Sequence, residues 1–195
     1  MSRLTLVLLV SLPAVACAAV GLTHPAHLTA GSAELWRNLH LVLIPVFPLI
    51  GLAPWLIARR AGLWFGRVAA LFGYGFATFY TSLDILAGVA GGALVMAGNG
   101  DATGPIFAVA RTLAAIGVVS LVAGCIVAGI AAFRVAGVVA LPGAVLATVG
   151  AILVQPGHIY LGLGTVALVL FAAGFVIMAI TVTRSVDRIP AAQPA

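Results

Sequence analysis

The sequence predicts an all-α, polytopic transmembrane helical bundle of six spans with both termini cytoplasmic. Three observations lead there. Of the 195 residues, 64% are hydrophobic and 7% charged, and the mean hydropathy is +1.27, whereas soluble domains carry about 25% charged residues. Apolar runs of spanning length recur along the whole chain, without the apolar–polar alternation of barrel strands. The arginines gather at the ends of those runs with a bias to one side, as topology-setting charges do.

The first run, 4–22, follows Arg3 and contains Cys17. Ala14-Val15-Ala16-Cys17 resembles a weak lipoprotein cleavage box, but the run is long enough to span and is read as an uncleaved helix. His24-Pro25-Ala26-His27 is a loop, because Pro25 disfavours helix at His24. Ser32 can cap a second span, 32–57, with Trp36 and Trp55 as interface anchors. Pro45, Pro48 and Pro54 each remove a donor and crowd the preceding turn, so a bend is expected between Leu41 and Pro54. The third span, 68–97, is followed by a turn-rich loop from Gly98 to Gly104. Pro105 opens the fourth span, 105–133. The fifth, 135–154, spaces Gly143, Ala147 and Ala151 as a small-residue packing face. A tight turn at 155–158 leads into the sixth span, 159–182, and these spans make one domain over 1–183. The polar, proline-containing tail, 184–195, is expected to be disordered and cytoplasmic.

Six spans place Arg3, Arg59, Arg60, Arg67, Arg134, Arg184 and Arg188 on one side and only Arg37 and Arg111 toward the other. The first side is therefore the cytoplasm of a plasma membrane. All nine basic residues are arginine, a bias that suggests a GC-rich bacterial genome. The net charge of +5 is spread over helix ends and is no nucleic-acid signal. No internal repeat supports an inverted-repeat transporter. Cys17 and Cys125 lie in separate apolar runs with no paired framework, so they read as buried thiols.

Asp84 is the only carboxylate within an apolar run. A charge there is expensive and normally faces the bundle interior with a partner. Tyr80, Asp84, Gly88 and Gly91 or Gly92 share one helical face, whose small residues suit close helix packing. Arg67 precedes Asp84 by 17 residues, about 25 Å of helix, and Arg111 lies 6 residues inside Pro105, about 9 Å. Asp84 and Arg111 are thus expected to meet as a buried ion pair in the outer half, with His40 or His158 beside the same pocket. The plainer view of the pair is a lock on helix register. All four histidines, His24, His27, His40 and His158, fall at the external end. Haem between His40 and His158, or a metal on His24 and His27, is the cofactor chemistry these residues allow, although two loop histidines alone are a weak metal signal. No phosphate loop, nucleophile elbow or zincin helix occurs.

The segments Leu35 to Leu41, Phe79 to Gly92 and Gly157 to Tyr160 resemble uncharacterised small polytopic membrane proteins of high-GC bacteria. The resemblance attaches no activity to any residue. Three functions then compete: a non-catalytic binding or accessory subunit, partnered by other integral membrane subunits or by copies of itself; a membrane redox or metal enzyme built on His40, His158, Asp84 and Arg111; and a small transporter that protonates Asp84. The first is the expectation, with an outward polar pocket as the place a ligand would bind.

Overall fold

The computed structural model describes residues 1–187, with side chains through Ser185. Among these residues the regular structure is entirely helical. Helix α1, Arg3–Gly21, is capped by Ser2, whose hydroxyl accepts from the Thr5 N–H. Helix α2, Ala33–Leu43, is followed by the short helices α3, Phe47–Ile50, and α4, Leu52–Ala58. Helix α5, Leu63–Leu83, passes without a loop into a widened π segment, Asp84–Ala90, and then into α6, Gly91–Met96. Helix α7, Thr103–Ala136, and α8, Leu141–Gly157, are joined by a single tight turn, and α9 covers Leu163–Asp187.

Four helical stretches are long and apolar enough to cross a membrane: Arg3–Gly21, Leu63–Met96, Gly100–Gly157 and Leu163–Ser185. The pair Ala33–Leu43 and Phe47–Ala61, bent by 44°, makes a fifth when counted as one. The bend has the expected cause. Pro45 lies in the break, where it supplies no donor to the carbonyl one turn back. The long stretch 100–157 is folded on itself at Gly137, whose φ of +70° few other residues adopt. Beyond that turn α8 returns along α7, so that a Cβ added at Gly129 would lie 2.8 Å from the Cβ of Ala144.

Several boundaries differ from the sequence reading: α5 begins at Leu63 instead of 68, and α7 runs on to Ala136 instead of ending at 133. The turn expected at 155–158 lies at 158–162, because α8 continues through Pro156 to Gly157 and the chain reverses beyond it, at Gly162 with φ +95°. His158 therefore sits in a loop and does not begin the last span. Helix α9 continues to Asp187, so 184–187 are helical rather than part of a disordered tail, and 188–195 lie outside the described residues.

The main core runs through the bundle, with Phe47, Phe76, Tyr80, Phe171, Phe175 and Met178 fully buried within it, and a small second cluster holds Ala58, Ala69 and Ala131. Around it, large side chains such as Leu8, Leu12, Val119, Ile126, Ile130, Val145 and Ile152 are exposed. An apolar exterior of this extent suits hydrocarbon, not water. Small residues let the helices touch backbone to backbone. Gly51, between α3 and α4, faces Gly73 of α5, and a Cβ on either would strike the other's carbonyl. Between α8 and α9, a Cβ at Gly143 would lie 2.7 Å from the Gly174 carbonyl oxygen, and one at Gly150 would lie 2.5 Å from the Phe171 nitrogen. Arg3 at the start of α1 donates from Nε to Thr183 Oγ1 near the end of α9, at 3.2 Å, which ties the two ends of the described chain together. Arg134 stacks over Phe65 at 5.2 Å at the α5–α7 border.

The α8–α9 seam yields a first prediction. Gly174 opposes the Ala147 backbone so closely that an added methyl group must push the helices apart. Gly174→Ala is expected to lower stability by about 1–3 kcal/mol, the usual cost of overpacking. A thermal melt in mild detergent checks it, with Gly104→Ala, at a helical glycine with open space around it, as a control.

Candidate functional site

At the end of the bundle opposite the Arg3–Thr183 contact, four elements converge. The loop 22–32 brings His24, α2 brings Trp36 and His40, the α5–π junction brings Tyr80 and Asp84, and the loop 158–162 brings His158 and Tyr160. Tight contacts fix this convergence. A Cβ at Gly21 would strike the Ile159 carbonyl, so the end of α1 and the 158–162 loop lie backbone to backbone. A Cβ at Gly88 would occupy the space of the His40 ring. The missing side chain at 88 is thus the seat of that imidazole. Gly92 similarly admits Arg37 and the Ala33 carbonyl of α2, and Gly91 admits the Phe107 ring of α7.

The π segment does two things here. Its wide turns loosen the backbone ladder, as single π turns at functional sites do, and the Ala87 carbonyl accepts a 3.0 Å hydrogen bond from Trp36 Nε1. It also turns Asp84 inward, where the residue is fully buried.

His24, His40 and His158 each offer one nitrogen, and these three atoms lie within 4.8 Å of one another. The hydrogen bonds show which nitrogen is free. His24 Nδ1 is 2.8 Å from the Pro25 carbonyl oxygen, and His40 Nδ1 is 2.6 Å from the Trp36 carbonyl oxygen. Both must be N–H donors, because a carbonyl only accepts. His158 Nδ1 lies 2.7 Å from Tyr80 Oη. Every Nδ1 is engaged, and the Nε2 of His24 is buried with no partner. His40 Nε2 lies 3.9 Å from Asp84 Oδ1. With its proton on Nδ1 it is a lone pair facing the Asp84 carboxyl group, whose two oxygens make no hydrogen bond among the described residues. The site therefore gathers three imidazoles and a carboxyl group with few hydrogen bonds among them. Burial holds His24 below the ordinary imidazole range, which keeps it neutral.

His158 reaches the cluster through an unusual backbone. Its φ of 44° is the only positive value on a non-glycine residue among those described. Such conformations are costly and persist where the surroundings enforce them, most often at functional sites. Rings enclose the cluster: Tyr160 lies 4.8 Å from His24 and 5.6 Å from His158, and Trp36 lies 4.7 Å from His24, centroid to centroid.

Beside the imidazoles opens a cavity of about 280 Å³, lined on its polar part by Trp36, His40, Arg111, Gln155, His158 and Tyr160. Arg111 thus shares a cavity with His40 and His158, but it does not pair with Asp84. The expected ion pair is absent among the described residues, and the only close ionic neighbour of Asp84 is His40. The reason is direction. Leu83 and Ala87, on the same helix, line the cavity that Arg111 enters, while Asp84 is aimed at α2.

His27 is also misplaced by the sequence reading. It is exposed in its loop, away from the three-imidazole group, and its carbonyl accepts from Ser32 Oγ. His24 joins His40 and His158 instead. Trp36 is 4% exposed and serves as a buried donor, not as an interface anchor. Tyr160 and Gln155 carried no signal of their own, because only the fold brings them to the cavity. A porphyrin suits the group poorly. His40 and His158 are near-parallel, at 11° with centroids 6.0 Å apart, and His24 stands 5.1 Å from one and 6.0 Å from the other, so a macrocycle between them would have to displace it.

The chain matches no protein-family model, no curated protein and no solved structure.

Proposed function

We propose that this is a six-span plasma-membrane protein, with both termini cytoplasmic, that holds a divalent transition metal in its outward pocket on His24, His40 and His158. The observation that carries the reading is the convergence of three neutral imidazole nitrogens on one partly buried space beside an unpartnered carboxylate. A cation is the group that satisfies all of them together. Zinc is the best match, since three protein ligands with one position left open is its usual reactive arrangement. Tetrahedral coordination at 2.0–2.1 Å sets ligand nitrogens about 3.3 Å apart, so the separations, at most 4.8 Å, close by up to roughly 1.5 Å through small ring movements. The supporting shell is of the kind metal sites use: carbonyl oxygens behind His24 and His40, and a phenol behind His158. Metal on Nε2 requires His158 to donate from Nδ1 to Tyr80 Oη. Asp84 balances the charge from beside His40. An accessory-subunit role would use none of these convergent groups, and proton-coupled transport would use Asp84 alone.

Six spans follow when the bent pair counts as one and the folded stretch 100–157 as two. The arginine asymmetry then sets the orientation.

Metal analysis of the protein purified without chelator is expected to give one zinc per chain. His40→Ala, His158→Ala and His24→Ala should each reduce occupancy by tenfold or more, whereas His27→Ala should leave it unchanged. Equal loss at His27, or no metal in the wild type, would overturn the reading.

Acid should release the metal. Each ligand must be neutral to bind, and the lowered value of His24 means that it resists protonation until the pH is below 6.5. Zinc affinity should be flat above pH 7 and fall as the pH drops below 6.5. Metal-free protein should lose stability in the same direction, because the unfolded chain takes up the His24 proton first. Binding and melting curves between pH 8 and 5 measure both.

For topology, single cysteines are placed in a chain whose Cys17 and Cys125 are replaced by alanine. An impermeant maleimide added outside should label Asn99→Cys and spare Val138→Cys. The opposite pattern would reverse the orientation.

A further inference from the structure

The geometry points to an oxyanion site next to the metal, in which Arg111 grips the phosphate or carboxylate group of a ligand whose oxygen reaches the metal's open position; this rests on the metal reading above. Arg111 lies on α7 and lines the same 280 Å³ cavity as His40 and His158. It makes no hydrogen bond or ion pair among the described residues, and no acidic side chain lines that cavity. The whole chain has four acidic residues, and Asp84, the one at comparable depth, is committed to the α2 side. Arg111 is exposed, so its guanidinium lines the cavity and is also open to a ligand arriving from outside the protein, and charged residues on spans mark ligand paths.

The cavity has two chemical halves. One holds the imidazoles of His40 and His158, which are acceptors to a cation. The other carries Arg111, the Gln155 amide and the Tyr160 hydroxyl, whose side chains make no hydrogen bond among the described residues. A ligand bridging the two must be anionic at both ends of a short reach, as an oxyanion is. The guanidinium fork matches phosphate and carboxylate oxygens bidentately. The remaining wall, Leu83, Ala87, Phe107, Ala110, Ala114 and Pro156, is apolar. At this volume the cavity, just under the usual range for ligand pockets, holds a head group and not a whole lipid. The anion can thus arrive free in water or as the head of an acidic lipid.

The test uses the full-length protein loaded with cobalt(II) in an uncharged detergent, with free cobalt removed. The visible band of a cobalt–imidazole site changes when a new oxygen ligand enters. Inorganic phosphate is titrated in one arm. In the other, the protein is placed in nanodiscs of phosphatidylcholine alone or with phosphatidic acid. A saturable spectral change in either arm is expected. Arg111→Gln should weaken it about tenfold or more, in line with a charged hydrogen-bond pair, and Arg111→Lys by less. Gln155→Ala serves as a second, smaller perturbation. A response to phosphate marks a soluble anion, and a response only to phosphatidic acid marks a lipid head group. Cobalt bound with no response in either arm, or with the same response in Arg111→Gln, overturns this inference and leaves the metal site standing. Failure to bind cobalt overturns both.

Discussion

The contact between the His40 ring and Gly88 is the constraint on which the rest of the site depends. Where any other residue would project a side chain, the imidazole of α2 lies against bare backbone. That approach sets the distance between α2 and the π segment. At that distance Trp36 Nε1 reaches the Ala87 carbonyl, and Gly92 fits beneath Arg37 and Ala33. It also brings His40 Nε2 to 3.9 Å from Asp84. A methyl group at 88 would not merely crowd one ring. It would push α2 away from the only element that carries a buried carboxylate, and the cluster would come apart.

A second constraint acts on the other half of the cluster. His158 is delivered by a turn that α8 enters late and α9 leaves at Gly162, and the loop is pinned by the contact of Gly21 with the Ile159 backbone. Neither His24 nor His158 lies on a long helix. Both are held because loops at the end of the bundle have little room. The Nδ1 bonds to Pro25 and Tyr80 then fix each ring's rotation. The preorganisation comes from backbone approach at glycines and from Nδ1 anchoring, with few side-chain pairs involved.

Much of this was legible beforehand. Helix content and the approximate runs follow from apolar length, the bend follows from Pro45, and the inward face of Tyr80, Asp84 and Gly88 follows from a spacing of four. What failed was partner choice. Asp84 and Arg111 lie at similar depth by helix rise, and charge alone pairs them. Depth along two helices says nothing of rotation about them, and the π segment changes that rotation locally in a way no residue type announces. The same limit hid the three-imidazole group. His24 and His27 are near in sequence, but a turn sends them apart, while His24 and His158 meet only because the first and last loops share one end of the bundle. Gly88 was visible as a small residue suited to packing, yet not as the seat of a particular ring.

The local departures from ordinary structure are not scattered. A rare π segment, a proline-broken helix, a non-glycine residue at positive φ and a buried carboxyl group without a hydrogen bond all belong to elements meeting at one end of the bundle. Elsewhere the chain obeys simple rules, with small residues between helices and large apolar ones outside. Each departure costs stability by itself, and an apolar replacement would have been cheaper for packing alone. Sequences depart from local consistency chiefly where something other than folding is being specified. Three imidazoles gathered beside a buried carboxyl group, with an arginine on the adjoining cavity, are the form such a departure takes where a chain specifies a place for ions, as proposed above.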